Sequence, residues 1–320
     1  MWRDLSNANF LITGGTGFYG KWLLESIAAA NDLLGTQARA TILSRDPARI
    51  SREAPHLAAR REFSWLVGDT AEFSFPDGSF DYVLHCATAS AAEVGAGGTA
   101  AIRHTLRGTE RVLQFARSRD VKRLLFASSG AAYGRQPAEL SHIPEDYSGV
   151  PNPTDPGAAY GEMKRNEESL CMSSGLDCII TRGFAFLGPY LPLTDKFAAG
   201  SFIRQALAGG PIRIHGDGSP VRSYLYAADL VIWLLTLLLK GQPSHPYNVG
   251  SDQAISLAEL AQDIAATSGT VAEIAMTPTQ GPAERYVPEI RRARIELGLD
   301  VFIPLPQGLS RTIDWARRLP

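Results

Sequence analysis

Apolar and polar positions along the chain follow two patterns. Six short runs rich in β-branched or aromatic residues, NFLI (9–12), ATIL (40–43), FSWLV (63–67), DYVLHCA (81–87), RLLFAS (123–128) and DCIIT (177–181), read as buried strands. Between them FYGKWLLESIAAA (18–30), TERVLQFARS (109–118) and AYGEMKRNEESLCMSSG (159–175) repeat apolar positions at helical spacing, the last stopped by Gly175. Strand and helix in alternation build βαβ units, so the first 180 residues predict a parallel sheet with helices on both faces.

Beyond Gly183 the pattern changes to Pro- and Gly-rich loops such as FLGPYLPLTD, LAGGPIRIHGDGSP and MTPTQGPAER. The fold class predicted is α/β, a Rossmann-type doubly wound parallel sheet with a smaller C-terminal substrate-binding lobe. Residues 1–180 form the dinucleotide-binding core and 181–320 supply mainly the substrate lobe. Some later segments return to the core, with NVGS (248–251) a candidate for the sheet. The most apolar run, LVIWLLTLLL (230–239), has about half of the roughly 20 residues that a membrane span needs and reads as a buried core helix.

Charge narrows the range of partners. With 31 Lys+Arg against 33 Asp+Glu, no basic stripe points to nucleic acid and no acidic tail to disorder. Cys86, Cys171 and Cys178 lack metal-ligand spacing, and three cysteines in so long a chain suggest no disulfide framework, which fits a reducing cytoplasm. The first residues, MWRDLSNANF, carry no apolar signal-peptide core.

TGGTGFYG (13–20) stands between the first strand and the first helix, with glycines at 14, 17 and 20. This spacing turns the chain sharply and aims helix N-terminal amides at a pyrophosphate. The first glycine permits the turn, the second clears space for phosphate, and the third lets helix and strand pack. At the end of the second strand, where an NAD site places an acidic residue, stand Ser44 and Arg45, which suit an adenosine 2′-phosphate. NADP(H) is therefore favoured over NAD(H). Asp46 argues the other way unless it caps the helix starting at Pro47. Asp69 in VGDT has two readings, an acceptor for the adenine amino group or a plain turn residue.

Tyr160 and Lys164 are four residues apart on a predicted helix and share a face. A phenol with its ordinary value near 10 exchanges protons poorly at neutral pH unless a cation stabilises the phenolate. Ser128 and Ser129 end a strand, where a hydroxyl can meet a substrate carbonyl or carbinol.

The ordered set TGGTGFYG, LHCA, FASSGAAYG, YGEMK and RGFAFLGP resembles the extended short-chain dehydrogenase/reductase family, and the likeness continues through GDGSPVRSYLYAADL, YNVGS and RYVPEIRRARIELGL. Its members are mostly nucleotide-sugar epimerases, dehydratases and ketoreductases. The resemblance implies cofactor contacts at Gly14, Thr16, Gly17, Phe18, Tyr19, Gly20, Ser44, Arg45, Asp69, Ala87, Tyr160 and Lys164. It implies Tyr160 as acid/base, Lys164 as its pKa-lowering and ribose-binding partner, and Ser129 as the hydroxyl that aligns the reacting carbon. Substrate contacts fall on Ser128, Ser129, Arg222 and Arg285, the two arginines gripping a diphosphate; a solvated surface position is the other reading of Arg285. The resemblance also implies a homodimer built on the helices at about 99–118 and 157–174.

Departures from the family pattern limit the reaction. Gly130 and Ala131 occupy the positions of the dehydratase Asp–Glu pair, which argues against elimination of water. His85 and Cys86, set against the Cys and His of C3/C5 epimerisation, read as packed bystanders. His104 and Ala185 replace two asparagines common in the family, and Ser223 follows Arg222 where Asp is usual. Three functions remain open: an NADP(H)-dependent reductase of the 4-keto group of a nucleotide-linked (deoxy)sugar, an NAD-dependent C4 epimerase, and a non-catalytic dinucleotide sensor. His56, His142, His215 and His245 show no metal-ligand spacing, and no metal is implied.

Overall fold

The computed structural model describes residues 2–243, 245–276 and 281–319. All six apolar runs form strands of one sheet: β1 (Asn9–Thr13), β2 (Arg39–Ser44), β3 (Phe63–Val67), β4 (Tyr82–His85), β5 (Arg123–Ser129) and β6 (Cys178–Gly183). The strand Tyr247–Val249 adds a seventh member beside β6, which brings part of the NVGS segment into the sheet. The order runs Tyr247–Val249, β6, β5, β4, β1, β2, β3. Pairing is parallel from β3 through β2, β1 and β4 to β5. Chain order therefore reverses between β1 and β4, and the carboxyl ends of those two strands flank the crevice where open α/β sheets take ligands.

The helices of this layer are α1 (Phe18–Leu34), α2 (Ala48–Glu53), α3 (Pro55–Ala58), α4 (Ala91–Ser118) and α5 (Ala159–Ser173). Sequence periodicity found only the second half of α4. Its first part, AAEVGAGG, has too few apolar residues to show a buried face. Ser90 and Glu93 nonetheless start it with a reciprocal capping box, and Gly98, at φ 53° and ψ −138°, interrupts it. Against the sheet, α4 and α5 bury Val112, Leu113, Phe115 and Cys171 on Leu11, Val83, Leu124, Phe126, Cys178 and Ile180. Two of the three cysteines are thus core residues.

The apolar run at 230–239 lies in the helix Ala227–Lys240, where Leu230, Trp233, Leu234 and Leu237 are completely buried. Among the described residues no helix is long and apolar enough to cross a membrane.

Two compact units divide the chain. The first comprises Met1–Gly134, Val150–Arg182 and Val231–Tyr247, and the second Arg135–Gly149, Gly183–Leu230 and Asn248–Pro320. In the second unit Tyr224–Tyr226 pairs with Ala185–Leu187, and Val221–Arg222 lies between Ile255–Ser256 and Arg285–Tyr286. Residues 277–280 of its MTPTQGPAER loop lie outside the described residues.

Candidate active site

Each glycine of the first turn has a separate steric reason. Gly14 adopts φ +72°, and a Cβ there would stand 2.8 Å from the Ala87 nitrogen at the end of β4. Gly20 is closed off by backbone, since its Cβ would come 2.2 Å from the Gly15 Cα. Gly17 meets only the Gly14 carbonyl, at 3.2 Å, and lines a cavity beside the turn. Gly15, which the sequence did not single out, lets the turn settle on Ile42 of β2, 2.2 Å from where its Cβ would be.

Beside this turn a cavity of about 670 Å³ is lined by Gly14, Gly17, Ser44, Arg45, Asp69 and Ala87, among others. Thr16 also lines it, whereas Phe18, Tyr19 and Gly20 do not. Positive-φ glycine, bare backbone and a helix N-terminus at one end, with hydroxyl and guanidinium groups at the other, suit a dinucleotide.

At the polar end Ser44 is buried, and its Oγ lies 3.3 Å from Thr16 Oγ1 and accepts from the Asp46 amide at 3.2 Å. Asp46 does not cap α2 through its side chain; that carboxylate pairs with Arg52 at 3.1 Å. Arg49, a lining residue missed from the sequence, pairs with Glu53 at 2.6 Å. Arg45 has no ion-pair partner among the described residues. Asp69, on the cavity wall, accepts from its own turn, the Ala71 amide at 2.8 Å, and pairs with His104 at 2.8 Å.

The catalytic candidates stand on β5 and α5. Ser129 ends β5 and accepts from the Ala131 amide at 3.2 Å, capping the turn Gly130–Tyr133. That turn carries no carboxylate. Gly161 lets α5 close on it, because a Cβ there would stand 2.4 Å from the Ala131 carbonyl oxygen. The half-buried Tyr160, one residue earlier, is thereby held beside the Ser129 turn. Lys164, one helical turn on, is fully buried and donates to the Ala127 carbonyl at 2.9 Å. Ser128 is buried, and its hydroxyl donates to Glu168. Glu168 also takes a two-pronged grip from Arg182, at 3.0 and 2.6 Å.

His85 is more than a packed side chain. Its Nδ1 lies 2.7 Å from Thr13 Oγ1 and its Nε2 3.0 Å from Thr109 Oγ1. Burial, helped by the charge of Lys164, pushes its pKa down to about 3. The folded protein thus keeps His85 neutral, while an unfolded chain protonates it near pH 6.5. Between pH 6.5 and 3 the unfolded state binds the extra proton, so stability falls as pH drops through that window, by up to about 1.4 kcal/mol per unit. Melting temperatures recorded across this range should fall less steeply for His85→Gln than for the parent; equal slopes would contradict the assignment. Burial pushes the Cys86 thiol up to about 12, which makes it a poor nucleophile.

Arg222 and Arg285 lie on adjacent strands of the second unit, in the register Arg285↔Val221 and Tyr286↔Arg222. The Arg222 guanidinium pairs with Glu284 at 2.7 Å, and Arg285 Nε donates to the Ser141 carbonyl at 3.2 Å. Ser223, beside Arg222, is completely buried.

Glu167, Glu168 and Arg182 escaped the sequence reading. Spacing held the signal for the first two, since 160, 164, 167 and 168 fall on one helical face.

The model of the NAD dependent epimerase/dehydratase family matches residues 10–250. UDP-glucuronic acid decarboxylase 1 of Xenopus tropicalis is 30% identical over 314 residues, covering 96% of this chain and 72% of that protein. Among solved structures, the UDP-glucose 4-epimerase of Thermotoga maritima with UDP-glucose superposes with a TM-score of 0.78 at 22% identity, covering 97% of this chain and 99% of that one. The dTDP-glucose 4,6-dehydratase of Bacillus anthracis in complex with NAD gives 0.80 at 18% identity, with 97% of each chain covered.

Proposed function

The chain belongs to the NAD-dependent epimerase/dehydratase family, and from that premise we propose that it reduces the 4-keto group of a nucleotide-linked (deoxy)sugar with NADPH. The observation that carries this reading is the turn after β5. Ser129, Tyr160 and Lys164 are all present, while Gly130 and Ala131 leave no carboxylate beside them for eliminating water. Such a set exchanges one hydride and one proton at a single carbinol carbon.

A bound nicotinamide supplies the hydride. Ser129 orients the carbonyl oxygen by hydrogen bonding, and Tyr160 delivers its proton to that oxygen as negative charge develops. Lys164 stabilises the phenolate left behind. Ser44, Arg45 and Arg49 would hold the 2′-phosphate, with the Asp46 carboxylate, which also lines the cavity, engaged by Arg52. Arg222 and Arg285 would take the substrate diphosphate, which requires Arg222 to release Glu284.

The decarboxylase relative favours a second reading, in which the same residues oxidise C4 with NAD. A 4-keto uronic acid is a β-keto acid and loses carbon dioxide without a further protein acid, so the bare turn also accommodates that reaction. In both readings Tyr160 serves C4, and they part on whether the cofactor is consumed. Purified protein given NADPH and a 4-keto-6-deoxy sugar nucleotide is expected to oxidise one NADPH per alcohol formed, with NADH at least about tenfold poorer. Conversion of UDP-glucuronic acid with release of carbon dioxide and no net change in cofactor would reject the reductase in favour of the second reading.

A further inference from the structure

Glu167 is a fully buried carboxylate on the catalytic helix that the reaction above leaves unused. Its Oε2 is 3.3 Å from Lys164 Nζ and accepts from the Thr88 hydroxyl at 3.2 Å. Its Oε1 accepts from the Thr109 hydroxyl at 2.7 Å. Thr109 has a single hydroxyl proton, so toward His85 Nε2, at 3.0 Å, it can only accept. A neutral imidazole that donates from Nε2 accepts at Nδ1, where the Thr13 hydroxyl lies at 2.7 Å. Thr13 Oγ1 in turn accepts from the Ala87 amide at 3.1 Å.

The donors therefore run one way, from Ala87 through Thr13, His85 and Thr109 to Glu167. Three of these groups come from β1, β4 and α4, so the chain begins beside the glycine turn and ends on α5. Aligned donors converging on a carboxylate, together with an ammonium, suit an anion. Of the three Lys164 N–H groups, one goes to the Ala127 carbonyl and one faces Glu167. The ammonium also sits 4.6 Å from the centre of the Phe126 ring.

We infer that Glu167 is a positioning residue that offsets the charge of Lys164, and thereby sets the pH at which Tyr160 exchanges its proton. The inference rests on Tyr160 being the acid/base of the proposed reaction. The neighbouring titratable groups add little net charge. His85 is neutral, the Cys86 thiol is raised by burial, and the Cys171 thiol is raised by its hydrogen bond to Cys178 and by burial. Glu168 is matched by Arg182, whose guanidinium lies over the Tyr133 ring, and Arg165 of α5 is directed to the Ala132 carbonyl.

Glu167→Gln removes the charge and keeps an acceptor for Thr109. Tyr160 ionisation is read as the ultraviolet difference between proteins with and without Tyr160→Phe, in both the parent and the E167Q background. In E167Q the midpoint should move to lower pH by about one unit, and the alkaline limb of turnover should move with it. Glu167→Asp, which keeps the charge, should hold the parental midpoint even where turnover falls. Thr109→Val carries the test if E167Q does not fold, with a smaller shift in the same direction. Unmoved midpoints in these variants, with only lower turnover or stability, would make Glu167 a structural residue and overturn the inference. The titration needs no sugar nucleotide, so a shifted midpoint in a protein without reductase activity would reject the proposed reaction and leave standing only the control of Tyr160 ionisation by Glu167.

Discussion

Tyr160→Phe is expected to lower turnover roughly a hundred- to ten-thousand-fold while leaving dinucleotide binding and melting temperature near the parental values. The phenol is half-buried on α5, and losing its hydroxyl leaves no cavity of note. The affinity for dinucleotide should persist because the cavity is lined by the glycine turn, Ser44, Arg45 and Asp69 and not by Tyr160. Steady-state rates alongside a cofactor titration separate the two effects. Full activity in Tyr160→Phe would remove the acid/base assignment and give new weight to a non-catalytic sensor.

Lys164→Met should do more than stop the reaction. It strands Glu167 as a buried carboxylate without its cation, and breaking a buried pair from one side costs about 3–5 kcal/mol. The double variant Lys164→Met/Glu167→Gln replaces the charge pair with neutral groups of similar size and keeps an acceptor for Thr109. It should recover most of that stability and none of the turnover. Denaturant unfolding of the parent, the single and the double variant gives the comparison. If the double variant is no more stable than Lys164→Met, the loss does not come from the stranded charge.

How much of this was legible in the sequence depends on how local each cause is. Gly14 and Gly20 were readable because a positive φ at the first and close backbone approaches at both demand glycine there. The strands were readable because burial on both faces leaves unbroken apolar runs. Tyr160 and Lys164 needed only helical spacing and the order of motifs around them. By contrast, the start of α4 was hidden by its Gly- and Ala-rich composition, which fits loop and helix alike. The partners of Glu167 come from Thr88 and Thr109, 79 and 58 residues away, and only the packing of β4, α4 and α5 brings them together. His85 shows the same limit. The sequence placed it correctly within an apolar strand, but its two hydrogen bonds reach Thr13 and Thr109, across 72 and 24 residues. Ser128 and Ser129 are adjacent and alike in sequence. Strand alternation turns the first toward Glu168 and leaves the second to cap the turn below Tyr160.

The central claim is net hydride delivery to C4 of a nucleotide-linked sugar. Its most direct test supplies a 4-keto-6-deoxy sugar nucleotide together with NADPH carrying deuterium at the transferable position. The account predicts an alcohol labelled at C4, with one NADPH oxidised per molecule formed and no label gained in Tyr160→Phe. Turnover of a sugar nucleotide that leaves the cofactor unchanged and C4 unlabelled would contradict it.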